Sequence, residues 1–147
     1  MKNWILAAAL VFLAGSCSVG QPEIKYGADE CAHCRMNVMD AKFGAAIQTT
    51  KGRTYVFDAP ECMVPFVGHN GHLVEQEVGG WYVSDFAHPG TLIDATKAFY
   101  LHAPTLKSPM RGNVAAFGSD SDRKQAMQHF PGEAMDWPAV KKLFTDE

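Results

Sequence analysis

The chain has 147 residues, of which 47% are apolar and 20% charged, with 13 Gly and 8 Pro. That length fits one ordinary domain or two very small ones, and the composition excludes intrinsic disorder and low-complexity sequence. Lys and Arg total 13 against 16 Asp and Glu, for a net charge of −3, which gives a phosphate backbone little to grip and argues against nucleic acid as a partner.

Met1-Lys2-Asn3 carries one positive charge, and Trp4 to Leu13 is a continuous apolar run of ten residues. A stable membrane span needs roughly 20; the run instead has the length of a signal-peptide core. Ala14-Gly15-Ser16 then leads into Cys17. Small residues ahead of a cysteine resemble the lipobox of bacterial lipoproteins, in which the cysteine is lipidated and becomes the first mature residue. Residues 1–16 therefore read as a signal peptide, Cys17 as a lipidation site and 17–25 as a lipidated tether. Acyl chains would hold the domain at an extracytoplasmic membrane surface, periplasm-facing in a Gram-negative cell, since each buried methylene adds roughly 0.8 kcal/mol. A plain secretory signal with an incidental cysteine is the alternative.

From Gly44 onward the pattern is a hairpin. Residues 45–50 alternate weakly, Lys51-Gly52-Arg53 is a turn, and Thr54-Tyr55-Val56-Phe57 is rich in β-formers. Asp58-Ala59-Pro60 marks a helix start, predicting a helix over 61–69 with Cys62, Met63, Phe66 and Val67 as apolar positions. Trp81-Tyr82-Val83 reads as a strand, and Leu92-Ile93 extends the sheet. The order then repeats: a strand at 97–101, a loop of Pro, Met and Arg over 102–112, a strand at 113–117, and a helix over 122–130 with Ala126, Met127 and Phe130 on one face. Asp136 caps a last helix with Trp137, Val140 and Phe144 at helical spacing. The expectation is an α+β fold of two small ββαβ-type units, 26–95 and 96–147, packed on each other because neither buries much apolar surface alone.

Chemistry concentrates in Cys31-Ala32-His33-Cys34-Arg35-Met36-Asn37-Val38-Met39. With Cys17 acylated, Cys31, Cys34 and Cys62 are an odd number, so a pure disulfide framework leaves one thiol over. Covalent haem needs His directly after the second Cys, where Arg35 stands. A thioredoxin-like redox pair fits the Cys-x-x-Cys and the helical spacing of Met36, Met39 and Phe43, but lacks the long buried strand that should precede it. Structural zinc needs four N or S ligands, which Cys62 and one histidine could complete.

Monovalent copper is the fourth reading, because thiolate and thioether donors select Cu(I). In an extended segment Cys34 and Met36 share a face, roughly 6.6 Å apart, so both sulfurs can converge on one ion. Met39 reads as core. Met110 lies in the Pro- and Gly-containing loop Ser108-Pro109-Met110-Arg111-Gly112 and could close the site from the second unit, the alternative being a methionine that caps the sheet.

These residues carry a family resemblance. Cys31-Ala32-His33-Cys34-Arg35-Met36-Asn37-Val38 resembles the Cys-x-x-Cys-Gly-Met-x-Val motif of the NosL lipoproteins, accessory proteins of nitrous oxide reductase. The lipobox-like start, Tyr55-Val56-Phe57-Asp58 followed by Cys62-Met63, and Ser108-Pro109-Met110 with Val114-Ala115-Ala116-Phe117 are similar to that family as well. Arg35 replaces the usual Gly, and Arg111 stands where Gly is frequent. The resemblance implies two ββαβ-type units and one Cu(I) held by Cys34, Met36 and Met110 together with Cys31. It also implies copper delivery to nitrous oxide reductase and its copper-handling maturation proteins.

Cys31, Cys62 or one of the histidines His33, His88 and His102 could complete a site, with surface positions as the alternative for the histidines. No phosphate loop, serine nucleophile motif or paired catalytic carboxylate stands out, so a monomer without turnover of its own is expected. The residues alone leave three functions open: a Cu(I) chaperone, a lipoprotein binding module stapled by zinc or a disulfide, and an exported thiol oxidoreductase.

Overall fold

The computed structural model describes residues 20–69 and 71–145, so the signal-peptide and Cys17 readings lie outside the described residues. Strand β1 (Ala45–Thr49) forms the predicted hairpin with β2 (Thr54–Phe57), Ala45 opposite Phe57 and Gln48 opposite Thr54. The turn closes through Gly52 at φ 84°, a left-handed conformation that glycine adopts without steric penalty. Strand β3 (Val78–Ser84) pairs with the other edge of β1, and β4 (Leu92–Asp94) with β3. The result is an antiparallel sheet of order β2-β1-β3-β4.

The second sheet repeats that plan. Strand β5 (Phe99–His102) lies between β6 (Val114–Phe117) and β7 (Glu133–Met135), all antiparallel, in the order β6-β5-β7. In each sheet the first strand is central, flanked by its hairpin partner and by the strand that follows the helix. Those helices are α1 (Pro60–Met63) and α2 (Asp120–His129). The fold is thus mixed α+β, with an added C-terminal helix α3 (Trp137–Thr145).

Side-chain alternation explains how the two sheets share one interior. Tyr100, Val114 and Ala116 point into a core with Ile47, Phe57, Val83 and Trp137, whereas Leu101, Ala115 and Phe117 point to the opposite face. There they pack with Phe43, Phe86 and the Ala126, Met127 and Phe130 side of α2, the face the sequence predicts. Strand β6 is buried along its whole length because both of its faces are covered. The sheets also touch through backbone, Phe86 N–H donating to Ala116 O at 2.8 Å.

Helix α3 docks by the stripe read from its spacing, Trp137, Val140 and Phe144, all buried. Its first turn is capped by Asp136, whose carboxylate accepts from Ala139 N at 3.0 Å. Trp137 meets Trp81 edge-on at 5.2 Å and Tyr100 face-on at 6.1 Å. Tyr100 is fully buried and donates its hydroxyl to Ala95 O at 2.6 Å.

The structure differs from these expectations at five places. The helix read over 61–69 stops at Met63, because Pro65 cannot donate to the carbonyl four residues back and Gly68 turns away at φ 141°. Strand β7 has no counterpart in the reading; it is short, mostly exposed and set only by pairing with β5. The strand expected at 97–101 begins later and takes in His102. Met39, read as core, is 66% exposed, while Phe43 enters the second core. Ile24, within the segment read as tether, is buried, and Gln21 Nε2 donates to Leu92 O at 2.6 Å.

Candidate metal centre

The Cys-x-x-Cys sits in a tight turn, not at a helix start. Glu30 and Asn37 pair as an isolated antiparallel bridge. Inside that neck Cys31 N donates to Met36 O at 2.8 Å and Arg35 N to Cys31 O at 3.0 Å. Arg35 takes φ 68° to close the loop, where a side chain other than glycine is sterically penalised by about 1–2 kcal/mol. Arg111, the other arginine at a glycine-favoured position, is likewise left-handed at φ 63°. The Arg35 side chain is turned to solvent, 76% exposed, and pairs with Glu30 at 3.1 Å.

The loop is moored to the first sheet by Ala32 N donating to Val56 O at 2.8 Å, on the free edge of β2. Since β2 runs directly into α1, the same mooring brings Cys62, the third residue of α1, beneath the turn. The sulfurs of Cys31, Cys34 and Cys62 then lie within 4.8 Å of one another. All three are free thiols; Cys31 and Cys62 are buried and Cys34 is partly exposed.

Electrostatics divide the trio. The Cys31 sulfur receives a hydrogen bond from the Cys62 thiol and from the backbone N–H groups of Cys34, Asp58 and His33. These donors hold Cys31 well below the usual thiol range despite its burial. The Cys62 thiol is pushed up, first by donating to Cys31 and then by desolvation. Burial pushes Cys34 up too, against a hydrogen bond from the Met36 backbone. These neighbours favour the thiolate at Cys31 and the protonated thiol at Cys62 and Cys34. Asp58, buried beside them, has its carboxyl raised by desolvation and by the Cys31 charge.

Met36 is 59% and Met110 42% exposed, so neither fills the core. Met36 is held at the trio by its backbone, which bonds both Cys31 and Cys34. Met110 lies on the loop between β5 and β6, lining a cavity of about 390 Å³ with Glu61, His102 and Arg111. That loop is tied to α1 through Glu61, the residue before Cys62. Among the described residues no histidine or carboxylate joins the sulfurs within their mutual distance. His33 is exposed, His88 is paired with Asp85 at 2.9 Å, and His102 lies in the Met110 cavity.

From sequence Cys62 is a helix position, a partner for zinc and one of several residues that could complete the site; the structure brings its sulfur into the cluster with Cys31 and Cys34. The signal for it was the unpaired thiol in the cysteine count.

Two comparisons with known proteins match this chain. A family model described as NosL covers residues 23–144. The crystal structure of the copper chaperone NosL from Shewanella denitrificans superposes with a TM-score of 0.65 at 15% identity, over 80% of this chain and 93% of that one. No curated protein matches.

Proposed function

Because the chain belongs to the NosL family, we propose that it is a Cu(I) chaperone: it binds copper outside the cytoplasm and hands it to nitrous oxide reductase and its maturation proteins. The observation that carries this reading is the convergence of three free thiols within 4.8 Å, with no nitrogen or oxygen donor among the described residues in the group. Thiolates, with thioether at the rim, suit a soft monovalent ion, whereas structural zinc calls for a fourth N or S ligand. The solved relative is itself named a copper chaperone.

The same geometry suits cargo better than turnover. Cys31, the sulfur whose thiolate form its neighbours favour, is wholly buried. A substrate disulfide therefore has no line of approach to it, and thiol–disulfide exchange requires that access. Copper can arrive and leave along the exposed side, past Met36 and Cys34, by stepwise replacement of one sulfur by another. In that scheme Cys31, Cys34 and Cys62 are the thiolate ligands, and Met36 and Met110 are thioether donors at the rim. Two of the three thiols must lose protons for full thiolate ligation, and coordination supplies the driving force.

No helix among the described residues is long and apolar enough to cross a membrane. The proposed anchor is lipid on Cys17, after the apolar run 4–13. Mass spectrometry of the membrane fraction should find acylated Cys17 as the first residue; an unmodified, released chain would remove the anchor. The function itself is tested by anaerobic transfer from the loaded chain to copper-free nitrous oxide reductase. Transfer faster than from a small-molecule Cu(I) donor is expected, and its absence would refute the delivery role.

A further inference from the structure

Glu61 is a carboxylate in an unexpected place. It lies in α1 immediately before Cys62, largely buried, with Oε2 lacking any hydrogen-bond partner among the described residues. Burying a carboxyl with one oxygen unpaired disfavours the fold relative to an apolar side chain, so its contacts need a reason. Its Oε1 accepts from Ser108 Oγ and from Gly112 N, the latter at 3.1 Å. Those residues flank Met110 two positions away on each side.

The bridged loop does not rest easily. Lys107, Arg111 and Asn113 all have positive φ, at 51°, 63° and 53°, where side chains other than glycine are disfavoured. Ser108 and Asn113 brace it from within, Asn113 N donating to Ser108 Oγ at 2.8 Å and Ser108 N to Asn113 Oδ1 at 3.2 Å. Glu61 is the brace from outside. The fit is tight: a Cβ on Gly112 would stand 2.9 Å from Glu61 Cδ and 2.8 Å from Phe144 Cε1.

We propose that Glu61 is a positioning residue: from the helix turn that carries Cys62, it clamps the Ser108–Gly112 loop and so fixes where Met110 presents its thioether relative to the thiols. The inference rests on Met110 acting as a copper donor. Glu61 is not itself a ligand in this scheme, since a carboxylate oxygen is a hard donor poorly matched to Cu(I).

The test uses the full chain and four variants, Glu61→Ala, Glu61→Gln, Met110→Leu and the double variant Glu61→Ala/Met110→Leu. In the copper-free protein, Glu61→Ala should speed amide exchange across 107–113 while 31–38 stays protected. Cu(I) affinity should fall by about tenfold, as for groups that orient a metal ligand. X-ray absorption at the copper edge should show one sulfur fewer. Glu61→Gln should restore most of the affinity, because its amide oxygen can accept both bonds. In the Met110→Leu background Glu61→Ala should cause no further loss. If the two losses add instead, Glu61 does not act through Met110 and the clamp is wrong. Unchanged affinity in Met110→Leu overturns the ligand reading of Met110, and the clamp with it. Intact affinity and exchange in Glu61→Ala, beside a weakened Met110→Leu, overturns the clamp alone. Should Glu61→Ala fail to fold, Gly112→Ala perturbs the same contact from the loop side and should show the same loss of affinity and the same non-additivity.

Discussion

Replacing Cys62 by Ser separates a ligand from a packing residue. Cys62 is 1% exposed, and its sulfur lies within 4.8 Å of those of Cys31 and Cys34. Serine keeps the size and can still donate a hydrogen bond to the Cys31 sulfur, so the anionic partner is not stranded. Exchanging a buried thiol for a hydrogen-bonded hydroxyl should destabilise the apo protein by about 1–2 kcal/mol, lowering Tm by roughly 3–10 °C in a domain of this size. Copper affinity should change far more. Groups that merely orient a ligand are worth about 10–100-fold; a sulfur donor should be worth at least the upper figure, about 2.7 kcal/mol of binding. The assay is an anaerobic competition titration against a Cu(I) chelator, beside thermal melts of the apo forms. A lowered melt with affinity within about threefold of the parent would return Cys62 to the core and refute the three-thiol site.

Met36→Leu and Met110→Leu keep side-chain size at exposed positions, so apo Tm should stay within a few degrees while Cu(I) affinity falls at least about tenfold; zinc affinity in the same titration should not move. Cys62 is raised in the apo state by its hydrogen bond to Cys31 and by burial, and Cys34 by burial and by Cys31, whereas Cys31 is already depressed. Binding must therefore displace protons from the raised pair, and affinity should rise with pH by about tenfold per unit for each proton displaced; a flat profile between pH 6 and 8 would contradict this charge distribution. Tyr100→Phe removes the bond to Ala95 O and leaves that carbonyl unpaired, which should lower stability by about 1–2 kcal/mol in a denaturant melt and leave copper affinity unchanged.

The parts of the fold readable from the sequence are those whose local pattern agrees with their tertiary setting. The β1–β2 hairpin is written in its turn, with Gly52 supplying the left-handed residue. Helix α3 is written in the Asp136 cap and the Trp137, Val140, Phe144 stripe. Strand β7 was illegible because Glu133-Ala134-Met135 has no alternation and exists only as an edge paired to β5. Met36, Met39 and Phe43 have helical spacing without a helix, since the Glu30–Asn37 bridge forces a turn instead.

The candidate site divides the same way. Cys31 and Cys34 are given by their spacing. Cys62 arrives through one long-range link, Ala32 to Val56, that lays the turn along β2 and over α1. Pairing of that kind leaves no periodic trace. Glu61 is the first residue of the helix predicted over 61–69, and its reach to Ser108 and Gly112 depends on packing between the two units, which no local pattern shows. Arg35 and Arg111 hold backbone conformations that favour glycine, which is why the family's glycines at those places are structurally intelligible.

Copper content and coordination of the chain, purified anaerobically from copper-replete cells, address the proposed role most directly. One copper per chain is expected, in the monovalent state, with an X-ray absorption shell of sulfur alone and Cys31, Cys34 and Cys62 protected from alkylation until a chelator strips the metal. Stoichiometric zinc in place of copper, or thiols that alkylate equally fast with and without added Cu(I), would contradict it.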